Sequence, residues 1–246
     1  MIGIIIQGFL ISGLYALIAV GFTLIFSVGR VLNLAYGVYI MLGGYAYYTL
    51  AQVLELSKVI GLLGAIVVGI LFGVITYFGI VKRLLSNPIA VEISTLILAV
   101  VMQAVIILIY SPSPRAIWPI IAGITRVHEV TISWNIFFAM ITSWAVLGAL
   151  LLFVRKTQVG RAILAVSMDS KGALLSGIDP ERINILTWAL SGALGALAGV
   201  FFATYTQLDP TMWVSPLITA VAVVIIGGIG SITGSLVSAH IVGFME

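Results

Sequence analysis

Side chains able to do covalent or metal chemistry are scarce in this sequence of 246 residues, which has no cysteine and two histidines, His128 and His240. Without cysteine there are no disulfides, thiolate metal ligands or thiol nucleophiles, and the redox compartment stays open. His128 stands beside Glu129 and close to Arg126, but one imidazole and one carboxylate fall short of the three or four ligands a zinc site needs. Neither an H-E-x-x-H helix nor a G-x-S-x-G elbow occurs. The run Gly227-Gly228-Ile229-Gly230 has no lysine to reach a phosphate, so it is not an ATP-binding loop. The residue types argue against an enzyme, and no cofactor or metal is expected on this chain.

What remains is a set of isolated polar side chains within long apolar runs: Gln7, Thr23, Asn33, Gln103, Thr204, Thr206 and Gln207. In hydrocarbon such groups are costly, so they turn toward a bundle interior or a cavity. Alternatively each hydrogen-bonds a neighbouring helix, for about 0.6 kcal/mol. Asn33 is the strongest cavity candidate, because the stretch around it, with Tyr36 and Gly37, reads as a non-uniform segment beside Gly29 and Arg30. Gly227, Gly228 and Gly230 read as a helix break that could gate a cavity. The spacings Gly69/Gly73, Gly195/Gly199 and Gly230/Gly234 predict close helix packing. Asp, Glu, Lys and Arg are absent from mid-run, which disfavours a self-contained secondary transporter or channel with an intramembrane ionisable relay. Three further groups read as structural. Glu92 follows Asn87-Pro88 at a helix start, His240 is a packing residue, and Asp209-Pro210 is a surface turn.

The elements that must hold these residues follow from composition. The chain is 62% apolar and 8% charged, with a mean hydropathy of +1.27, against roughly 25% charged residues in a soluble domain. It is an integral membrane chain whose partner is the lipid bilayer; its net charge of +3 reports loop sidedness rather than nucleic-acid binding. Uncharged runs cover 1–29, 31–54, 59–81, 93–114, 130–154, 183–208 and 210–245. A crossing helix needs about 20 apolar residues. The expectation is therefore an all-α, polytopic transmembrane bundle of seven or eight spans. The last run is too long for one straight span, so it carries a broken or re-entrant Gly-rich segment. The runs are continuous rather than alternating, which excludes a membrane β-barrel. Nothing basic precedes Arg30, so the first run reads as a retained span rather than a cleavable signal peptide. The whole of 1–246 reads as one membrane domain.

Alternating the spans puts Arg30, Lys82, Arg83, Arg155, Lys156, Arg161, Lys171 and Arg182 on one side, and Lys58, Arg115 and Arg126 on the other. By the positive-inside rule the first side is cytoplasmic and the N-terminus lies outside. The cytoplasmic loop 155–182 reads as structured. Ser167 or Asp169 can N-cap a short helix through Ser176, with Gly177 as its left-handed stop and Ile178 beyond it. Asp179-Pro180-Glu181 then starts the next span as N-cap, N1 proline and first-turn acid. The stretch 110–134, with Ser111-Pro112-Ser113-Pro114, Trp118-Pro119 and the cluster Arg126, His128, Glu129, reads as a stiff outer loop.

Several strings carry a family resemblance. Gly13-Leu14-Tyr15-Ala16-Leu17-Ile18-Ala19-Val20-Gly21 leads into Val31-Leu32-Asn33-Leu34-Ala35-Tyr36-Gly37 and Met41-Leu42-Gly43-Gly44-Tyr45. Gly160-Arg161-Ala162, Ser191-Gly192-Ala193-Leu194-Gly195 and Gly227-Gly228-Ile229-Gly230-Ser231 follow in order. Together they resemble the branched-chain amino acid ABC-importer permeases, the H-type inner-membrane subunits of the Liv systems. The chain departs from that pattern at Tyr36, where the family has His, and at Lys171-Gly172, where it has Glu-Ala. It also ends at Glu246, where family members continue, which implies a chain shortened at its C-terminus.

The resemblance implies a non-catalytic permease subunit in the cell inner membrane. Two cytoplasmic ATPase subunits would hold the ATP and Mg, beside a second homologous permease subunit and an extracytoplasmic substrate-binding protein. It implies ATPase coupling through the 155–182 loop by Arg161, Asp169, Ala173, Leu174, Gly177, Ile178 and Asp179, with Arg161 and Asp169 paired at the rim. It makes Asn33, Tyr36, Gly37, Gln103, Gly227, Gly228 and Gly230 the translocation-path candidates. Branched-chain amino acids are the implied substrates, with urea or short amides as the alternative.

Overall fold

The computed structural model describes residues 2–127 and 130–245; His128 and Glu129 of the outer-loop cluster therefore lie outside the described residues. The apolar runs become helices because hydrocarbon offers the backbone no other hydrogen-bond partners. The chain runs through α1 (Ile2–Gly29) and α2 (Tyr36–Tyr48), the latter continued by a π-helical turn, Thr49–Val53. Next come α3 (Lys58–Thr76), a second π-helical turn (Tyr77–Val81), α4 (Lys82–Leu84) and α5 (Pro88–Tyr110). A small hairpin of β1 (Ile124–Val127) and β2 (Val130–Ser133) precedes α6 (Trp134–Lys156), α7 (Gln158–Met168) and α8 (Ser170–Leu175). The chain closes with α9 (Pro180–Tyr205), α10 (Val214–Gly227) and α11 (Ile232–Met245).

The all-α bundle is as expected, apart from the antiparallel hairpin, which pairs Ile124 with Ser133 and Arg126 with Thr131. Length and composition alone pick out fewer candidate crossings than the seven or eight expected. Among the described residues five helices are long and apolar enough to cross a membrane, and α10 with α11, bent by 117° at their junction, adds a sixth if taken as one span. Two physical reasons account for the difference. The 31–54 run loses its first turn to a non-helical connection, and the last run is divided into two helices of 14 residues each. The α10–α11 turn lies against Ser27 through Gly230, whereas Gly243 lies against Ser12, so α11 returns antiparallel along α1.

Local sequence dictates the helix starts. Asn87, Ser133, Thr157, Asp169 and Asp179 each N-cap the helix that follows with a side-chain acceptor, which satisfies one of the orphan first-turn amides. α9 is the central element and packs on α1, α2 and α3. Small residues let the backbones close: a Cβ on Gly73 would meet the Trp188 carbonyl oxygen at 2.4 Å, and one on Gly199 the Ile40 oxygen at 1.8 Å. The pairs Gly69/Gly73 and Gly195/Gly199 are thus packing glycines, as predicted. In the third pair only Gly234 packs, against Gly227, while Gly230 sits in the turn with φ +84°.

The helix ends fall into two sets. Arg30 reaches α7, Lys82 pairs with Glu181 at the start of α9, and α7 and α8 follow α6. This basic end holds the eight cations assigned to one side from the sequence. At the opposite end side chains fasten the 111–123 connection. Lys58 Nζ donates to the carbonyls of Pro119 and Ile120 (2.7 and 2.9 Å), and Gln52 Oε1 accepts from Trp118 N–H (2.9 Å). Asn135 accepts from Ile120 N–H (2.9 Å) and donates to Thr204 Oγ1 (2.9 Å).

Candidate functional site

At the basic end, α7 and α8 form a two-helix knob where a single short helix was expected. Thr157 Oγ1 accepts from Gly160 N–H (2.9 Å) to start α7. Gly160 then lets α7 fold back on α6, since its Cβ would stand 2.2 Å from the Phe153 oxygen. Asp169, not Ser167, caps α8 by accepting from Lys171 N–H (2.9 Å). Gly177, with φ +83°, ends it: Ile178 N–H donates to Ala173 O and Gly177 N–H to Leu174 O, both at 3.0 Å. That double bond pattern is a Schellman stop. Asp179 Oδ1 accepts from Glu181 N–H (2.9 Å), and Pro180 occupies the first turn of α9. Four residues, Ser176 to Asp179, therefore separate two helices held by caps on both sides.

The knob has a buried and an exposed face. Ala173 is 5% exposed and packs with Val28, Ile163, Val166 and Ile183. Leu174 is half-exposed, while Leu175 and Met168 are 89% and 82% exposed, an apolar tip surrounded by charge. The expected rim pair of Arg161 and Asp169 does not form. The ion pairs among the described residues are Lys82–Glu181 and Arg182–Asp179, and the Asp169 carboxylate is committed to its cap. Arg30, whose φ is +53°, donates from Nη2 to Ser167 O at 2.6 Å. It thereby places a cation on the negative end of α7 and ties the α1–α2 connection to the knob.

The path candidates divide into two groups. Asn33 is buried; its Oδ1 accepts from Ala35 N–H (3.1 Å) and its Nδ2 donates to Tyr39 OH (3.0 Å). The best sequence candidate for a cavity thus shapes the start of α2 instead. Tyr36 is buried edge-on between Phe22 and Tyr39. Gly37 admits the Trp213 backbone, whose oxygen would lie 2.1 Å from a Cβ there, and Gln103 Oε1 accepts from Trp213 Nε1–H at 2.6 Å. Trp213 therefore gathers Gly37 and Gln103. Gly227, Gly228 and Gly230 lie at the other end of α10, where Gly228 and Gly230 both have positive φ. α10 joins the two groups.

Beside the start of α10, at the hairpin end, lies an open groove of about 660 Å³ whose lining includes Thr206, Gln207, Asp209, Thr211, Ser215 and Thr219. Asp209 Oδ1 accepts from the Thr211 amide (2.7 Å) and hydroxyl (2.5 Å). Thr211, Ser215 and Thr219 were missed in the sequence. Ser215 and Thr219, four apart, share one face of α10, and that spacing is the signal that could have found them; Thr211 stands in the turn before the helix.

The family model of the branched-chain amino acid transport system permease component matches residues 4–246. The chain belongs to that family. A probable branched-chain amino acid transport permease protein LivH of Methanocaldococcus jannaschii is 30% identical over 98% of this chain and 79% of its own length. The high-affinity branched-chain amino acid transport system permease protein LivH of Escherichia coli K12 is 27% identical, covering 98% and 83% respectively. A ribose import permease protein RbsC of the same organism is 24% identical over 94% of this chain and 73% of its own. No solved structure matches. As a transport permease of this family, the protein is a multi-pass membrane protein, and both the knob and the groove belong to a permease. For this permease Tyr36 is notable, because its hydroxyl is buried with no hydrogen-bond partner and fills space against Gly21.

Proposed function

We propose that this chain is the membrane subunit of an ABC importer for branched-chain or similar small amino acids. The observation that carries the reading is the α7–α8 knob: an apolar tip, Leu174 and Leu175, presented at the basic end on helices capped at both termini. The basic end faces the cytoplasm by the positive-inside rule, so the knob meets the ATPase subunits there and the N-terminus lies outside. Ile178 and Asp179 pass a push on α8 directly into α9, and Arg30 passes it into the α1–α2 connection. ATP and Mg reside on the two partner ATPases, and this subunit performs no chemistry.

The groove beside α10 is the outer mouth of the path. Its hydroxyls and the Asp209 carboxylate suit the polar head of an amino acid, and the apolar face of α10, with Ile218 and Ile225 exposed, suits an aliphatic side chain. A second homologous permease subunit completes the path along that face, and Gly227, Gly228 and Gly230 supply its inner constriction. A separate extracytoplasmic binding protein delivers substrate.

Detergent co-purification tests this. The intact chain should bring along an ATPase and a second permease subunit, and Leu175→Arg should shed the ATPase alone. A chain that purifies by itself and still moves leucine into vesicles without ATP would be a secondary transporter. Uptake of ribose, urea or short amides in preference to leucine would redirect the substrate.

A further inference from the structure

At the basic end two adjoining cavities, of about 210 and about 310 Å³, share Ser27, Ser167 and Gly230. They lie where the ends of α1, α6 and α7 meet the turn before α11. The lining of the first includes the apolar side chains of Leu151, Leu164 and Ile232. Its rim carries Arg155 and Thr233, and the second cavity carries Arg30.

The charges here do not balance. Asp169 is engaged in capping α8, Asp179 caps α9 and pairs with Arg182, and Glu181 pairs with Lys82. The remaining acid of this end, Glu92, stands on α5, which packs on α2 and α4. Arg155 makes no side-chain hydrogen bond or ion pair among the described residues, and the Arg30 guanidinium donates to the Ser167 carbonyl. Two guanidinium groups thus rim one crevice with no carboxylate opposite. Guanidinium forks match the oxygen geometry of phosphate.

We infer that this crevice binds the phosphate headgroup of an anionic phospholipid. The guanidinium groups take the phosphate at the ends of the spans, and the apolar wall receives the first acyl carbons. Leu151 lies one helical turn inward of Arg155 on α6, so cation and apolar wall follow the order of headgroup and chain in a leaflet. Basic crevices between spans are suited to such headgroups. A free phosphate would satisfy the arginines and leave the apolar wall without an occupant. The inference is independent of what is transported.

Native mass spectrometry of the full chain, purified with its accompanying subunits, tests it with phosphatidylglycerol and phosphatidylcholine of matched acyl chains. Phosphatidylglycerol should be retained in preference. Arg155→Gln should weaken that retention about fivefold, Arg155→Lys should keep most of it, and Arg126→Gln at the far end should leave it unchanged. Arg155→Gln is the cleaner variant because Arg155 has no bond to lose, whereas Arg30→Gln also frees Ser167. Equal retention of the two lipids, or no effect of Arg155→Gln, overturns the inference. Competition by millimolar inorganic phosphate without any preference for phosphatidylglycerol would make it a free-anion site. A preference seen only after the ATPase is stripped away would mean that the ATPase covers the arginines, which also overturns it.

Discussion

Gly69 and Gly192 meet backbone to backbone across α3 and α9: a Cβ on either would stand 2.2 or 2.1 Å from the other's carbonyl oxygen. Reciprocal contact of this kind fixes how closely two spans approach, since helix association in lipid depends on packing rather than on hydrophobic burial. Gly192→Ala should therefore destabilise the purified chain by about 1–3 kcal/mol, the usual cost of overpacking, read as a lower melting temperature in detergent. Gly79→Ala, in the π-helical turn that continues α3 and where a Cβ meets nothing within 4 Å, should not lower it.

Gly177 needs conformation rather than space. Its φ of +83° has no obstacle around the missing Cβ, so Gly177→Ala should cost about 1–2 kcal/mol from left-handed strain alone. Gly177→Asn should cost less, because Asn tolerates that region. A melting series of the three proteins checks the ranking; equal effects of Ala and Asn would refute it.

Ala173 and Leu175 are two residues apart and should answer differently to charge. Leu175→Glu should leave the melting temperature within about 0.5 kcal/mol of the parent yet release the ATPase in co-purification. Ala173→Arg should melt the knob itself, because Ala173 is packed on Ile163 and Ile183, so its loss of ATPase would come with lost stability.

Asp209→Asn retains an oxygen that can accept from Thr211 while removing the charge in the groove. Uptake of leucine in vesicles should fall by up to about fivefold, the range for an exposed ion pair, with the melting temperature unchanged. Asp209→Leu should lose the turn as well. An unaltered uptake rate in Asp209→Asn would remove Asp209 from substrate handling.

Local signals were legible and spatial ones were not. Asn87-Pro88, Asp179-Pro180 and Gly177 announce where helices start and stop, because capping acts within a few residues, and the structure keeps all of them. The sidedness of the cations was also legible, since it follows from counting crossings. Asn33 misled because a polar group in an apolar run has two outlets, a cavity or a neighbour, and the neighbour Tyr39 lies six residues away on the next helix. The bond from Arg30 to Ser167, the seating of Trp213 on Gly37, and the groove beside α10 join segments far apart in the chain, for which no local pattern exists. α7 went unseen because its start at Thr157 follows α6 with no intervening loop.

The carbonyls that Lys58 holds, with the Gln52 and Asn135 bonds around them, have a mechanical meaning. They pin one end of the bundle, while the other end is held by exposed ion pairs and short helix stops. A bunch of rods clamped at one rim can spread only at the other. On the proposed coupling role, work delivered to the knob would fan the rods about that fixed collar, with displacement growing toward the loose rim.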